Sequence, residues 1–317
     1  MPKHHRIAML IPYFGKIPDY FDLWLRTAEY NHNWDFFLYT DLAFPVESGS
    51  NVKVKYMTFA QLQSRIRERL GSDCVIGDPY KLCDYKPAYG VLFQEDLVGY
   101  DFWGFCDIDV LLGDLDDYVT DELLACNDKL FDLGHFCLMR NSPKMNELYR
   151  QEYPCVLPCS YAFRTNYICH FDENGTIAYA PEYDSSLRLY TEYSFFDVPF
   201  NSYPMLYDHT EVYVRWQNGK LELCLPCGQA VRSVMYVHLQ KRTMHRTGPV
   251  DSSTIIAYRD FFLKEPPTQS QFASDDDSVS KFLSTQKKRR YREILTNLRR
   301  GALPFRLAAK KNRWRNR

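Results

Sequence analysis

With 317 residues, 45% of them hydrophobic and 25% charged, the chain is long enough to bury a full-sized core and has a globular composition. No uninterrupted apolar stretch reaches the roughly 18 residues of a membrane span, and MPKHHRIAMLIPYFG passes from a few charges into a short strand without the h-region of a signal peptide, so a cytosolic protein is expected. The net charge of −1 hides a segregation: from Lys287 onward 13 Lys/Arg meet one acid, Glu293, so that segment carries +12 and the remainder −13.

Arg6 to Ile11 reads as a strand, followed by the turn Pro12-Tyr13-Phe14-Gly15 and a helix whose apolar positions Phe21, Trp24, Leu25 and Ala28 recur at helical spacing. Asp35 to Tyr39 reads as a second strand, ending at Thr40-Asp41. Strand, helix, strand at this length is a βαβ unit, which predicts an α/β fold with a mostly parallel sheet and helices on both faces. Ligands of such sheets bind beyond the carboxyl ends of the strands, a rule that singles out the Pro12 to Gly15 turn and Asp41. A third strand is expected over Asn51 to Tyr56 and a helix over Phe59 to Leu70. YKLCDYKPAYGVLF then leads into a helix starting near Pro87.

The segment YDFWGFCDIDVLLGDL reads as an apolar strand interrupted by two aspartates. The middle third, 120–225, mixes short helical and strand patterns rich in Tyr, and the 24 Tyr and 21 Phe exceed what a core requires, which predicts a ring-lined groove. Ser233 to Leu239 reads as one more strand, ending at His238. The expected organisation is one large domain over 1–263, an acidic, Pro-containing linker over 264–285 and a basic amphipathic tail over 286–317. In the tail Tyr291, Ile294, Leu295 and Leu298 follow one helical face among Lys and Arg, which predicts peripheral attachment to an anionic membrane surface. A disordered basic tail or a contact with an acidic partner is the alternative. The ten cysteines read as reduced thiols: the pairs Cys155/Cys159 and Cys224/Cys227 together could supply four zinc thiolates, but the first spacing is loose and no pattern fixes the two pairs as neighbours, so buried free thiols are expected.

The chemistry is concentrated in Phe105-Cys106-Asp107-Ile108-Asp109. A buried strand has no structural reason to carry two carboxylates two residues apart, whereas at its end Asp-x-Asp offers hard oxygen ligands for Mg²⁺ or Mn²⁺ beside a diphosphate. In Val237-His238-Leu239-Gln240-Lys241-Arg242, His238 is a candidate third ligand, and Lys241 and Arg242 are placed to neutralise a departing diphosphate. A plain basic turn is the alternative. A reaction at a hydroxyl needs a general base, usually a carboxylate, and Asp172 and Glu173 in HFDENG are the first candidates, with Glu192 and Asp197 as others. His135 and Arg140 in GHFCLMRN are candidate acceptor contacts, unless the segment is an ordinary core strand.

The ordered set of an N-terminal strand with an aromatic turn, YTD, KLCDYKPAYG, FCDIDVLLGDL, GHFCLMRN, HFDENG and VHLQKR, spanning residues 6 to about 245, resembles GT-A glycosyltransferases. It looks most like the bacterial enzymes of O-antigen and capsule clusters that include galactofuranosyltransferases. The resemblance implies a GT-A, Rossmann-like domain in which Asp107 and Asp109 hold the metal and the diphosphate of a UDP-sugar and Asp41 reads the base. It further implies Lys81, Asp84 and Lys86 beside the nucleotide; a charged first helical turn is their other reading. The implied reaction is hexosyl transfer to a glycan acceptor, which a lipid-linked glycan would satisfy beside a membrane. Inversion of configuration would need the base; retention would need none. A nucleotidyl-transfer or nucleotide-sugar-processing enzyme with the same metal-diphosphate site is the runner-up, but Pro12-Tyr13-Phe14-Gly15 is not a Gly-rich phosphate loop. Nucleic-acid binding through the tail is the non-enzymatic alternative, and the acidic body argues against it.

Overall fold

A computed structural model describes residues 5–272 except 45, 47–48, 155, 199–202, 205, 207–209 and 251–252, and beyond them 284, 287–288, 291–292 and 294–295. The unbroken apolar run Ile7–Pro12 forms β1, buried along almost its whole length as a central parallel strand requires. Helix α1 (Phe21–Tyr30) returns the chain to β2 (Trp34–Thr40), and β3 (Val52–Tyr56) follows at the sheet edge. Helix α2 (Phe59–Leu70) starts where Thr58 and Gln61 form a reciprocal capping box and stops at Gly71. A stretch of short helical turns from Pro79 to Leu97 leads into β4 (Phe102–Cys106), so the helix expected near Pro87 begins earlier and is broken. Pro79 and Pro87 each sit in the first turn of such a piece.

Past β4 come β5 (Val110–Leu112), β6 (Lys129–Leu133), β7 (Phe136–Arg140), β8 (Leu189–Tyr190) and β9 (Phe195–Asp197). The main sheet has the order β3-β2-β1-β4-β7-β6-β8. Its first four strands are parallel; β7 runs antiparallel to β4 and to β6, and β8 parallel to β6. Helices cover both faces, as expected. On one, Leu10, Phe37 and Trp103 pack against Leu62 and Ile66 of α2; on the other, Met9, Phe36 and Leu38 pack against Phe21, Trp24 and Ala28 of α1.

The fold is α/β, but the expectation of one mostly parallel sheet is too simple. Residues 213–263 form β10 (Tyr213–Gln217), β11 (Lys220–Cys224), β12 (Ala230–Ser233), β13 (Tyr236–His238), β14 (His245–Arg246), β15 (Thr254–Tyr258) and β16 (Phe261–Leu263). All but β13 join a second sheet of order β12-β11-β10-β15-β16-β14, whose apolar face packs on Leu23 of α1 and on Tyr20 just before it. The single strand expected over Ser233 to Leu239 is thereby split: Ser233 ends β12, and β13 pairs with β5 and β9 in a three-stranded sheet. Among the described residues no helix is long and apolar enough to cross a membrane. Of the linker reading only 264–272 is described, ending in the helical turn Gln269–Phe272; the tail reading, isolated positions apart, lies outside the described residues. Cys155 lies outside them too, and Cys159, Cys224 and Cys227 are free thiols.

Candidate functional site

The parallel pairing of β2, β1 and β4 sets Thr40, Pro12 and Cys106 along one edge, so Asp107 and Asp109 leave the sheet at its carboxyl end. The small sheet then fixes the partner. Antiparallel pairing places His238 opposite Val110, and parallel pairing places it beside Asp197. One ligand atom each from Asp107, Asp109 and His238 lies within 4.8 Å of the others. His238 Nδ1 lies 2.9 Å from Asp197 Oδ1, and its Nε2 faces Asp109 Oδ2 at 3.5 Å. A carboxylate on one ring nitrogen fixes the imidazole and leaves the other to face the site. Burial opposes the charge of His238, but hydrogen bonds to Asp109 and Asp197 push its pKa up to about 10. Burial and the His238 charge push His135, stacked on it at 4.4 Å between ring centroids, down to about 4.

Asp109 is almost fully buried and also accepts a 2.5 Å bond from the backbone N–H of Lys241. Gln240 and Lys241 both have positive φ, 52° and 55°, a left-handed turn that side chains other than glycine rarely adopt in succession. The turn puts the Lys241 ammonium 3.8 Å from the centroid of the Tyr80 ring, a cation–π contact at the cavity wall. Arg242 is tied to Asp260 at 2.7 Å.

The second half of the site is built on Lys86. Its ammonium donates to Asp107 Oδ1 at 2.7 Å and to the Gly134 carbonyl at 2.6 Å, and Asp172 Oδ2 lies 3.5 Å away. Burial raises the Asp107 carboxyl, but Lys86, Lys241 and His238 outweigh it and hold the group well below the usual range. Asp172 goes the other way: burial pushes it up to about 8, against the pull of Lys86 and with the push of Glu173. Its Oδ1 is buried with no hydrogen-bond partner. Gly134 makes room for this carboxylate, since a Cβ there would stand 2.5 Å from Asp172 Oδ2 and 2.8 Å from Glu173 Oε1.

One cavity of about 940 Å³ joins the two halves. Of the residues expected from sequence, Pro12, Tyr13, Phe14, Lys86, Asp107, Asp109, His135, Asp172, Glu173, His238, Lys241 and Arg242 line it. Four do not. Arg140 pairs with Phe102 at the opposite end of the sheet and binds carbonyls of Leu124 and Asn127, so it faces no acceptor there. Asp41 is an exposed residue just past β2, outside the cavity wall. Lys81 and Asp84 are sealed behind the wall: Lys81 donates to Asp84 at 2.6 Å and to the Ala162 carbonyl at 2.7 Å, and Asp84 accepts the N–H groups of Cys169 and Phe171. They hold the strained His170, φ 51°, and the turn Phe171–Asn174 that carries Asp172. Sequence reasoning weighed Asp197 only as a base and missed its bond to His238. Its signal was present, because Phe195-Phe196-Asp197 repeats the pattern of an apolar strand ending in an acid.

Residues 9–265 match DUF6625, a family of unknown function. The chain belongs to DUF6625. No curated protein matches it. The stretch shared with DUF6625 takes in every cavity residue, from Leu10 to Met244, and ends before the basic tail.

Proposed function

We propose that this DUF6625 chain is a metal-dependent glycosyltransferase of GT-A type, moving a hexosyl group, with galactofuranosyl as one candidate, from a UDP-sugar to a growing cell-surface glycan. The observation that carries the reading is the Asp107, Asp109 and His238 cluster at the carboxyl edge of the parallel strands, opening into the same cavity as Lys241 and the buried Asp172. Two carboxylates and an imidazole oriented by Asp197 are a donor set suited to Mn²⁺ or Mg²⁺. When bound, the ion supplies charge neutralisation for a diphosphate leaving group.

The chain's own residues account for the rest. Lys241, at the cavity wall, adds positive charge where the diphosphate departs. Asp172 takes the proton of the acceptor hydroxyl as that oxygen bonds to the anomeric carbon, while the bond from that carbon to the diphosphate breaks and the diphosphate leaves with the electron pair. A volume of about 940 Å³ accommodates a nucleotide sugar and part of an acceptor. We further infer that the enzyme works in the cytoplasm on the inner face of the cell membrane, where its basic tail meets anionic lipid and a lipid-linked acceptor.

Calorimetric titration with UDP, GDP, CMP and TDP, with and without Mn²⁺, tests the reading. UDP should bind only with the cation, and Asp109→Ala should weaken that binding about a hundredfold or more. Equal UDP affinity in excess chelator would overturn it.

A further inference from the structure

Lys86 stands between two carboxylates that the proposed function assigns to different tasks. Two of its three ammonium donors are taken, by Asp107 Oδ1 and the Gly134 carbonyl, and the third faces Asp172 Oδ2 at a distance too long for a full hydrogen bond. Asp107 is at the same time one of the three candidate ligands. A divalent cation on Asp107 would therefore share that carboxylate with the resident ammonium, and two cations on one carboxylate repel each other.

We propose that Lys86 is an internal counter-cation that yields Asp107 to the divalent ion and moves onto Asp172, so that occupancy of the metal site and readiness of the base are coupled. The inference rests on the glycosyltransferase reading and gives Lys86 a role other than contact with the nucleotide. The structure supplies a destination for the displaced charge: Asp172 Oδ1 is buried without a partner, and Asp84 and Glu173 add negative potential around it. The Gly134 carbonyl, which already accepts from the ammonium, can keep hold of it through the shift. Lys86 is thus a positioning residue: without the ion it pairs with Asp107, and with it Asp172 gains the partner that keeps a buried carboxylate ionised.

The consequence has an unusual sign. Removing a residue at the heart of the site should improve cation binding. With Mn²⁺ titrated by calorimetry into the full chain without nucleotide, Lys86→Met and Lys86→Gln should bind at least about threefold tighter than wild type while transfer falls, and Lys86→Arg should keep wild-type affinity and regain part of the transfer. Unchanged or weaker Mn²⁺ binding in both neutral variants, with native melting curves, would overturn the inference and leave the glycosyltransferase reading intact; absence of Mn²⁺ binding by wild type would sink both. If the neutral variants do not fold, infrared difference spectra of wild type decide. Mg²⁺ addition should shift a carboxyl band assigned to Asp172 through Asp172→Asn, although Asp172 is no ligand, and a silent Asp172 band would refute the transfer.

Discussion

Lys81 and Lys86 come from the same short helical stretch, both are withdrawn from solvent, and both meet an aspartate within hydrogen-bond distance. Around Lys81 the bonding is closed: Asp84 receives the ammonium and two backbone N–H groups, and Lys81 also donates to the carbonyls of Ala162 and Tyr167. Around Lys86 it is open, because one cation serves two carboxylates and an oxygen of Asp172 has no partner. A closed cluster holds a backbone in place; an open one, facing a cavity, keeps a valence for something else.

The sharpest break in that comparison is mutational. Asp84→Ala leaves the Lys81 charge buried and unpaired, and is expected to cost about 3–5 kcal/mol of stability in denaturant unfolding. A loss below about 1 kcal/mol would mean that water relieves the cluster and the distinction fails. Asp172→Asn is the opposite case: transfer should fall about a hundredfold or more through kcat, with stability equal to or above wild type. A thermal midpoint lowered together with unchanged kcat would contradict it.

The pH dependence of stability sharpens the contrast further. Asp172 and His238 both have folded-state pKa values above their ordinary ones, about 8 and about 10. Each therefore binds its proton more tightly folded than unfolded, and contributes stability that is complete below its ordinary pKa and is lost as pH rises through the folded value. In chelator, these two groups should make the melting temperature fall as pH rises from about 4 to about 10, and Asp172→Asn should remove the part of that fall that lies between about pH 4 and pH 8. Identical pH curves for wild type and Asp172→Asn would show that Asp172 is not held protonated. The smallest effect belongs outside the cavity: Arg140→Ala should change transfer by less than about twofold, measured under saturating donor.

Much of the first half of the fold was legible because its signals are local. The apolar run of Ile7–Pro12, the helical spacing in Phe21–Tyr30 and the capping box at Thr58 each fix an element without reference to the rest of the chain. The second sheet was not legible, because its short strands over 213–263 find their partners through non-local pairing and their apolar face becomes a core only against α1. At the site, Asp107, Asp109 and His238 stood out as polar groups at the ends of apolar strands, and the structure brings them together. Lys81 and Asp84 misled, since a charged pair in a helical turn looks alike in sequence whether it faces a cavity or is sealed behind its wall.

The turn from Gln240 to Lys241 also bears on how the molecule is made. Its bond from Lys241 to Asp109 joins positions 132 residues apart, and His238 reaches the aspartates only when β13 docks between β5 and β9. Contacts of such separation carry a large loop-closure cost and form late. The strands β1 to β4 are complete in the chain well before the histidine emerges from a ribosome, so a nascent or truncated chain presents two of the three candidate ligands. Cation affinity would then serve as a stopwatch for the final docking step, appearing in refolding kinetics only after the far segment has found its place.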